Sequence, residues 1–106
     1  MRNEKLLHAL GKCINHCNNC ADSCLDEENV KMMVQCIRLD RVCAEVCAAT
    51  NQVLVTKYND VQGLLDFCIK VCNECADECE KHDHQHCKEC AKACRECEKA
   101  CEAYAA

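Results

Sequence analysis

The spacing of the cysteines constrains this chain more than any other feature. Cys13, Cys17, Cys20 and Cys24 form one run, and Cys36, Cys43 and Cys47 form a second with one step of seven. Cys68, Cys72, Cys75 and Cys79 form a third, and Cys87, Cys90, Cys94, Cys97 and Cys101 a fourth. Residues three and four apart share one face of an α-helix. Each run is therefore a stripe of thiols along one helix, an arrangement that suits soft-metal binding better than disulfide bonding.

The rest of the composition agrees with helices. There is no proline, only two glycines and 3% aromatic residues among 106 positions, too few turn formers and β-branched or aromatic residues for a sandwich or an α/β domain. Alanine, leucine, glutamate and lysine favour helix instead. The length implies a single domain over 1–106 with room for one modest core. A formal net charge of -5 argues against nucleic acid, and no basic run is long enough to hold an anionic membrane. The first residues contain no apolar segment of signal-peptide length, and no stretch approaches a membrane span. The expectation is a cytosolic chain, where reduced thiols point to metal or redox chemistry.

Helix signals divide the chain into four. The first helix is expected from about Asn3, its cap, to Leu25, with Leu6, Leu10 and the first cysteines inward. Asp26-Glu27-Glu28 makes a turn, and Asn29 is the expected cap of the second helix, whose stripe is Met32 or Met33, Cys36, Leu39, Cys43, Cys47 and Leu54. That helix should end near Thr56 or Tyr58. Asn59 with Gln62 forms the capping signal of the third, and Asp83 that of the fourth. Short connections join antiparallel neighbours, so the expected fold is all-α, an up-down-up-down four-helix bundle with a cysteine-lined core.

That topology gives the bundle two unlike ends. One collects Met32, Met33, His82, His84 and His86; the other collects Leu6, Leu7, Leu10, Val53, Leu54, Val61, Leu64, Leu65, Phe67 and Tyr104. The first reads as a mouth for a soft cation and the second as an apolar plug. A histidine-rich loop can also be merely solvated, and methionine can be core filler. His8 and His16 are expected on the surface.

Thiolate favours Cu(I), Zn(II) and iron–sulfur clusters. Sixteen buried thiolates could not be tolerated alone, whereas a comparable number of monovalent cations would neutralise them. Charge balance thus sets an upper limit on the order of one Cu(I) per thiol. Four other readings compete. A disulfide scaffold fits the even count, but neighbours on one helix face have the wrong geometry for bridging. Cysteine as a small hydrophobe explains a few positions but not sixteen in register. Structural zinc uses isolated tetrahedral sites, usually on loops. Iron–sulfur binding, with an electron-transfer or thiol-redox role, finds Cys-x-x-Cys steps at Cys17/Cys20, Cys72/Cys75 and Cys87/Cys90, but a ferredoxin pattern also ends in Cys-Pro.

The segments Cys-Ile-Arg-Leu-Asp-Arg-Val-Cys-Ala-Glu-Val-Cys (36–47) and Lys-His-Asp-His-Gln-His-Cys-Lys-Glu-Cys-Ala-Lys-Ala-Cys (81–94) resemble the cytosolic bacterial copper storage proteins. With the cysteine runs, the resemblance covers nearly the whole chain. It implies a non-enzymatic store of multiple Cu(I) ions, a homotetramer of bundles, and copper loading at the end bearing His82, His84 and His86. A copper donor or chaperone is the partner it implies, with neither nucleic acid nor membrane. The chain departs from the pattern in two places. Leu6, Leu10 and Leu65 stand at stripe positions where relatives often continue the cysteine ladder, and Met32 and Met33 stand where some relatives place histidines.

Overall fold

Each cysteine stripe lies along one continuous helix. The computed structural model describes residues 1–105, in the order α1 (Glu4–Cys24), one turn of 3-10 helix (Val30–Met33), α2 (Val34–Leu54), α3 (Gln62–Cys79) and α4 (Gln85–Ala105), with no strand among the described residues. α1 packs on α2 and α4, and α3 packs on the same two, so the helices stand at the corners of a square. Connections of a few residues make each neighbour antiparallel. The molecule measures 46 × 20 × 20 Å. The width is about two helix diameters of about 10 Å, and the length is one helix of about 32 Å plus the connections and termini at its two ends.

The cysteines of all four helices are buried along the axis, and the expected plug closes one end. Leu6, Leu10, Leu54, Val61 and Leu65 are fully enclosed there, with Leu7, Val53 and Tyr104 packed against them. Phe67, expected in the plug, is instead 48% exposed. It directly precedes Cys68, so the ~100° turn per residue carries it off the inward face. Leu39 likewise gives up the inner position on α2, where Asp40 is wholly buried.

The helix starts follow the expected caps only at α1. Asn3 adopts a left-handed conformation (φ 46°), which asparagine tolerates, and its side chain accepts the Leu6 N–H at 2.9 Å. Arg2 beside it ties the plug shut. Its guanidinium donates to the Leu54 carbonyl at 3.1 Å, the Tyr58 carbonyl at 2.6 Å and Asn59 Oδ1 at 3.3 Å, placing a cation at the C-terminal end of α2. α2 stops at Leu54, short of Thr56 and Tyr58.

The other caps move for identifiable reasons. Asn29 precedes the 3-10 turn, and α2 begins at Val34 without a side-chain cap. The tighter turn swings Met33 into the core at 2% exposure and leaves Met32 outside at 65%. Asn59 spends its side chain on Arg2, and Gln62 reaches forward to Asp66 at 2.8 Å, so α3 starts at Gln62 without a capping box. At α4 the His84 carbonyl accepts the first helical N–H, from Lys88 at 3.1 Å, leaving Asp83 one residue outside.

Candidate metal centre

All sixteen cysteines are free and buried. Their sulfurs form a ladder down the axis in two connected runs, one on either side of Asp40. Cys68 meets Cys101 and Cys47 at 3.9 Å, Cys47 meets Cys72 at 3.8 Å, and Cys43 meets Cys72 and Cys13 at 3.8 Å. Cys13 and Cys17 lie 3.8 and 3.7 Å from Cys94, and Cys17 lies 3.8 Å from Cys90. Towards the open end, Cys36 reaches Cys79 at 3.7 Å and Cys20 at 4.0 Å, and Cys20 reaches Cys87 at 3.8 Å. These separations are nearly twice a disulfide bond of about 2.05 Å. They lie near the ~3.8 Å at which two sulfurs share one ion with metal–sulfur bonds of about 2.3 Å. Several sets, such as Cys13/Cys17/Cys43/Cys94 and Cys17/Cys75/Cys90/Cys94, have all their donor atoms within 4.8 Å of one another. Because sulfurs belong to more than one set, the core can hold bridged clusters rather than separate tetrahedra.

Asp40 forms a waist in this ladder. Cys75, Cys90 and Cys79 Sγ lie 3.2, 3.4 and 3.6 Å from its Oδ1, and Cys36 Sγ lies 3.8 Å from Oδ2. Burial, with the charges of Cys90 and Cys36 adding, pushes its carboxyl up to about 9. Asp40 is therefore a neutral acid at pH 7, which is why it can stand on the axis without a cation. Nine cysteines lie on the plug side of it (Cys13, Cys17, Cys43, Cys47, Cys68, Cys72, Cys94, Cys97 and Cys101), and Cys20, Cys24 and Cys87 lie towards the mouth. Burial also pushes the Cys24 thiol up, and raises Cys87 to about 12. Hydrogen bonds from Cys20 and Cys79 hold Cys36 well below the ordinary thiol range. Most metal-free thiols near the mouth thus keep their protons, and a cation must displace them.

The residues placed at this end by the sequence come together, with unequal contacts. His82 and His84 line an open cleft of about 480 Å³ with Glu27, Glu28, Asn29, Met32 and Met33. His86 alone touches the thiols, with Nδ1 3.2 Å from Cys20 Sγ and 3.6 Å from Cys87 Sγ. It belongs to a donor set with Cys20, Cys24 and Cys87. The imidazoles of His84 and His86 stack at 5.4 Å with planes 5° apart. Glu27 Oε2 lies 2.7 Å from His86 Nε2 and 3.3 Å from His84 Nδ1, while Glu78 Oε2 lies 2.9 Å from His82 Nε2. A larger cleft of about 620 Å³, between α1 and α4, offers no thiol or thioether and lies away from this chemistry.

Sequence reasoning missed three side chains. The step of seven from Cys36 to Cys43 spans two turns, so a residue four on from Cys36 had to face inward; that residue is Asp40. Glu27 stands out in the sequence only as part of a turn and Glu78 not at all; no sequence pattern marks either as a histidine partner.

Known proteins share this arrangement. The family model described as copper storage protein matches residues 1–106. The structure of Cu(I)-bound copper storage protein BsCsp3 is 38% identical and superposes with a TM-score of 0.94, covering 100% of both chains. A cytosolic copper storage protein from Streptomyces lividans, solved with five coppers, is 42% identical with a TM-score of 0.91, covering 94% of this chain and 88% of that one. The cysteine-rich protein YhjQ of Bacillus subtilis is 39% identical over 90 residues, 85% of this chain and 83% of its own length. With the family model spanning every residue and the thiol ladder lying inside the same bundle, this chain belongs to the copper storage protein family.

Proposed function

We propose that this chain stores Cu(I), taking it up as cargo and holding many ions per bundle on its core thiolates. The observation that carries this reading is the run of sixteen buried, free sulfurs, in contact at 3.7–4.0 Å on either side of Asp40 and joined across it by the set Cys20/Asp40/Cys79/Cys90. All sixteen cysteines act as ligands, and those still protonated give up their protons as cations arrive. Copper enters at the end bearing Met32, Met33, His82, His84 and His86, where thioether and imidazole are weaker ligands than the thiolates beyond. Transfer inward is ligand exchange down a gradient of affinity, and involves no catalysis. The plug supports a single direction of filling, since its leucines and valine offer no donor atom.

Further parts of the reading come from relatives. A cytosolic S. lividans homologue supports a cytosolic place. A homotetramer of bundles, each one copper-binding unit over 1–106, and a protein that delivers the copper complete the proposal. None of the described helices is long and apolar enough to cross a membrane.

The test is an anaerobic Cu(I) titration against a chelator of known affinity. The expected result is colourless protein that takes up many equivalents, to a limit on the order of one per thiol by charge balance. Saturation at one or two equivalents, or brown protein with broad visible absorption after aerobic purification, would overturn storage in favour of a sensor or an iron–sulfur role.

A further inference from the structure

His86 is where the mouth meets the thiol core, and its ring nitrogens face different partners. Nδ1 points at Cys20 Sγ and Cys87 Sγ, while Nε2 lies 2.7 Å from Glu27 Oε2. A carboxylate accepts and has no proton to give, so the single N–H of the neutral ring lies on Nε2 and donates to Glu27. The lone pair is then on Nδ1, facing the set formed with Cys20, Cys24 and Cys87. The other tautomer would turn an N–H towards those thiols and a lone pair towards the carboxylate, with nothing left to bind a cation on the core side.

Glu27 is itself held in place. Its backbone N–H donates to the Cys24 carbonyl at 3.2 Å, so it is tied to the turn that carries one of the three thiols. The same Oε2 meets His84 Nδ1 at 3.3 Å, and the stacked His84 ring restrains rotation of His86. The other two mouth imidazoles also have carboxylate partners, His84 in Glu27 and His82 in Glu78, but neither is hydrogen-bonded to a thiol.

We propose that Glu27 is the positioning residue of copper loading. It locks His86 in the Nε2–H tautomer with Nδ1 aimed into the core, and thereby makes His86 the one imidazole that hands Cu(I) from the cleft to the ladder. This rests on the storage reading above and adds to it the group that sets the direction of the hand-off. A carboxylate behind a ligating imidazole commonly fixes both the tautomer and the ring orientation. Glu27 does so before any metal arrives.

Two substitutions separate orientation from simple attraction of cations. Glu27→Ala removes the acceptor. Glu27→Gln keeps a side-chain carbonyl that can accept the Nε2–H and removes only the charge. Apo protein labelled with 15N-histidine reports the His86 tautomer through two-bond proton–nitrogen correlations. Stopped-flow mixing with a chelated Cu(I) donor reports the rate of early loading. The parent and Glu27→Gln are expected to show the Nε2–H form and similar rates. Glu27→Ala is expected to show a mixture of tautomers and early loading slowed about ten-fold, the lower end of the range for such outer partners. Final capacity should be the same in all three. Parental tautomer and rate in Glu27→Ala would overturn the proposal, as would a Glu27→Gln protein as slow as Glu27→Ala, since charge alone would then explain the effect. A parent that binds only one or two coppers would instead defeat the storage reading, and the same titration reveals it.

Discussion

At Asp40 the cost of burying a charge meets the chemistry of the surrounding thiols. Its carboxyl is raised from an ordinary 3.8 to about 9, chiefly by burial. The folded apo protein therefore holds a proton that the unfolded chain releases above 3.8. Stability from this group is complete below that value and is lost progressively as pH rises towards 9. Denaturation of the metal-free, reduced protein should show stability falling from about pH 5 to about pH 8, by at most about 1.4 kcal/mol per unit from this one proton. Asp40→Asn should flatten that slope, and equal slopes in variant and parent would mean that Asp40 is already ionised. The residue was legible in principle, because the long step in the second cysteine run leaves an inward position on α2. Leu39 drew the expectation because an apolar side chain is the ordinary occupant of a core. Only the packing shows that the axis carries an acid ringed by four cysteine sulfurs instead.

Among the elements, the helices themselves were plain in the sequence and their beginnings were not. Sulfur register persists over whole helices, so many residues vote for each one. A cap is decided by one or two side chains that can be claimed elsewhere, as Asn59 is by Arg2 and the start of α4 is by His84. Asn3 escaped that competition, and its effect can be measured. Asn3→Ala loses the 2.9 Å bond to Leu6 and places a less tolerant residue at φ 46°, and should cost about 1 kcal/mol of stability. Asn3→Gly keeps the conformation accessible and should cost only a few tenths of that. Denaturant titrations of the two apo variants give the comparison. Equal losses would show that the left-handed backbone does not matter there.

For the molecule as a whole, the two unlike ends were legible because antiparallel topology assigns every helix terminus to one end or the other. The unequal contacts of His82, His84 and His86 were not legible. It depends on which ring meets a thiol and which meets only a carboxylate, and for His86 that is set by contacts between residues more than fifty positions apart. The plug of Leu6, Leu10, Leu54, Val61 and Leu65, fastened by Arg2, has a consequence for retrieval. If copper enters and leaves only at the mouth, the proposed store behaves as a stack, in which the last ion in is the first out. Protein half-filled with one copper isotope, completed with another and then briefly exposed to a strong chelator should surrender mainly the second. Release in the proportions loaded would mean that ions exchange along the ladder faster than they leave it. If order is kept, the deepest copper is a reserve that the cell can reach only after emptying everything above it.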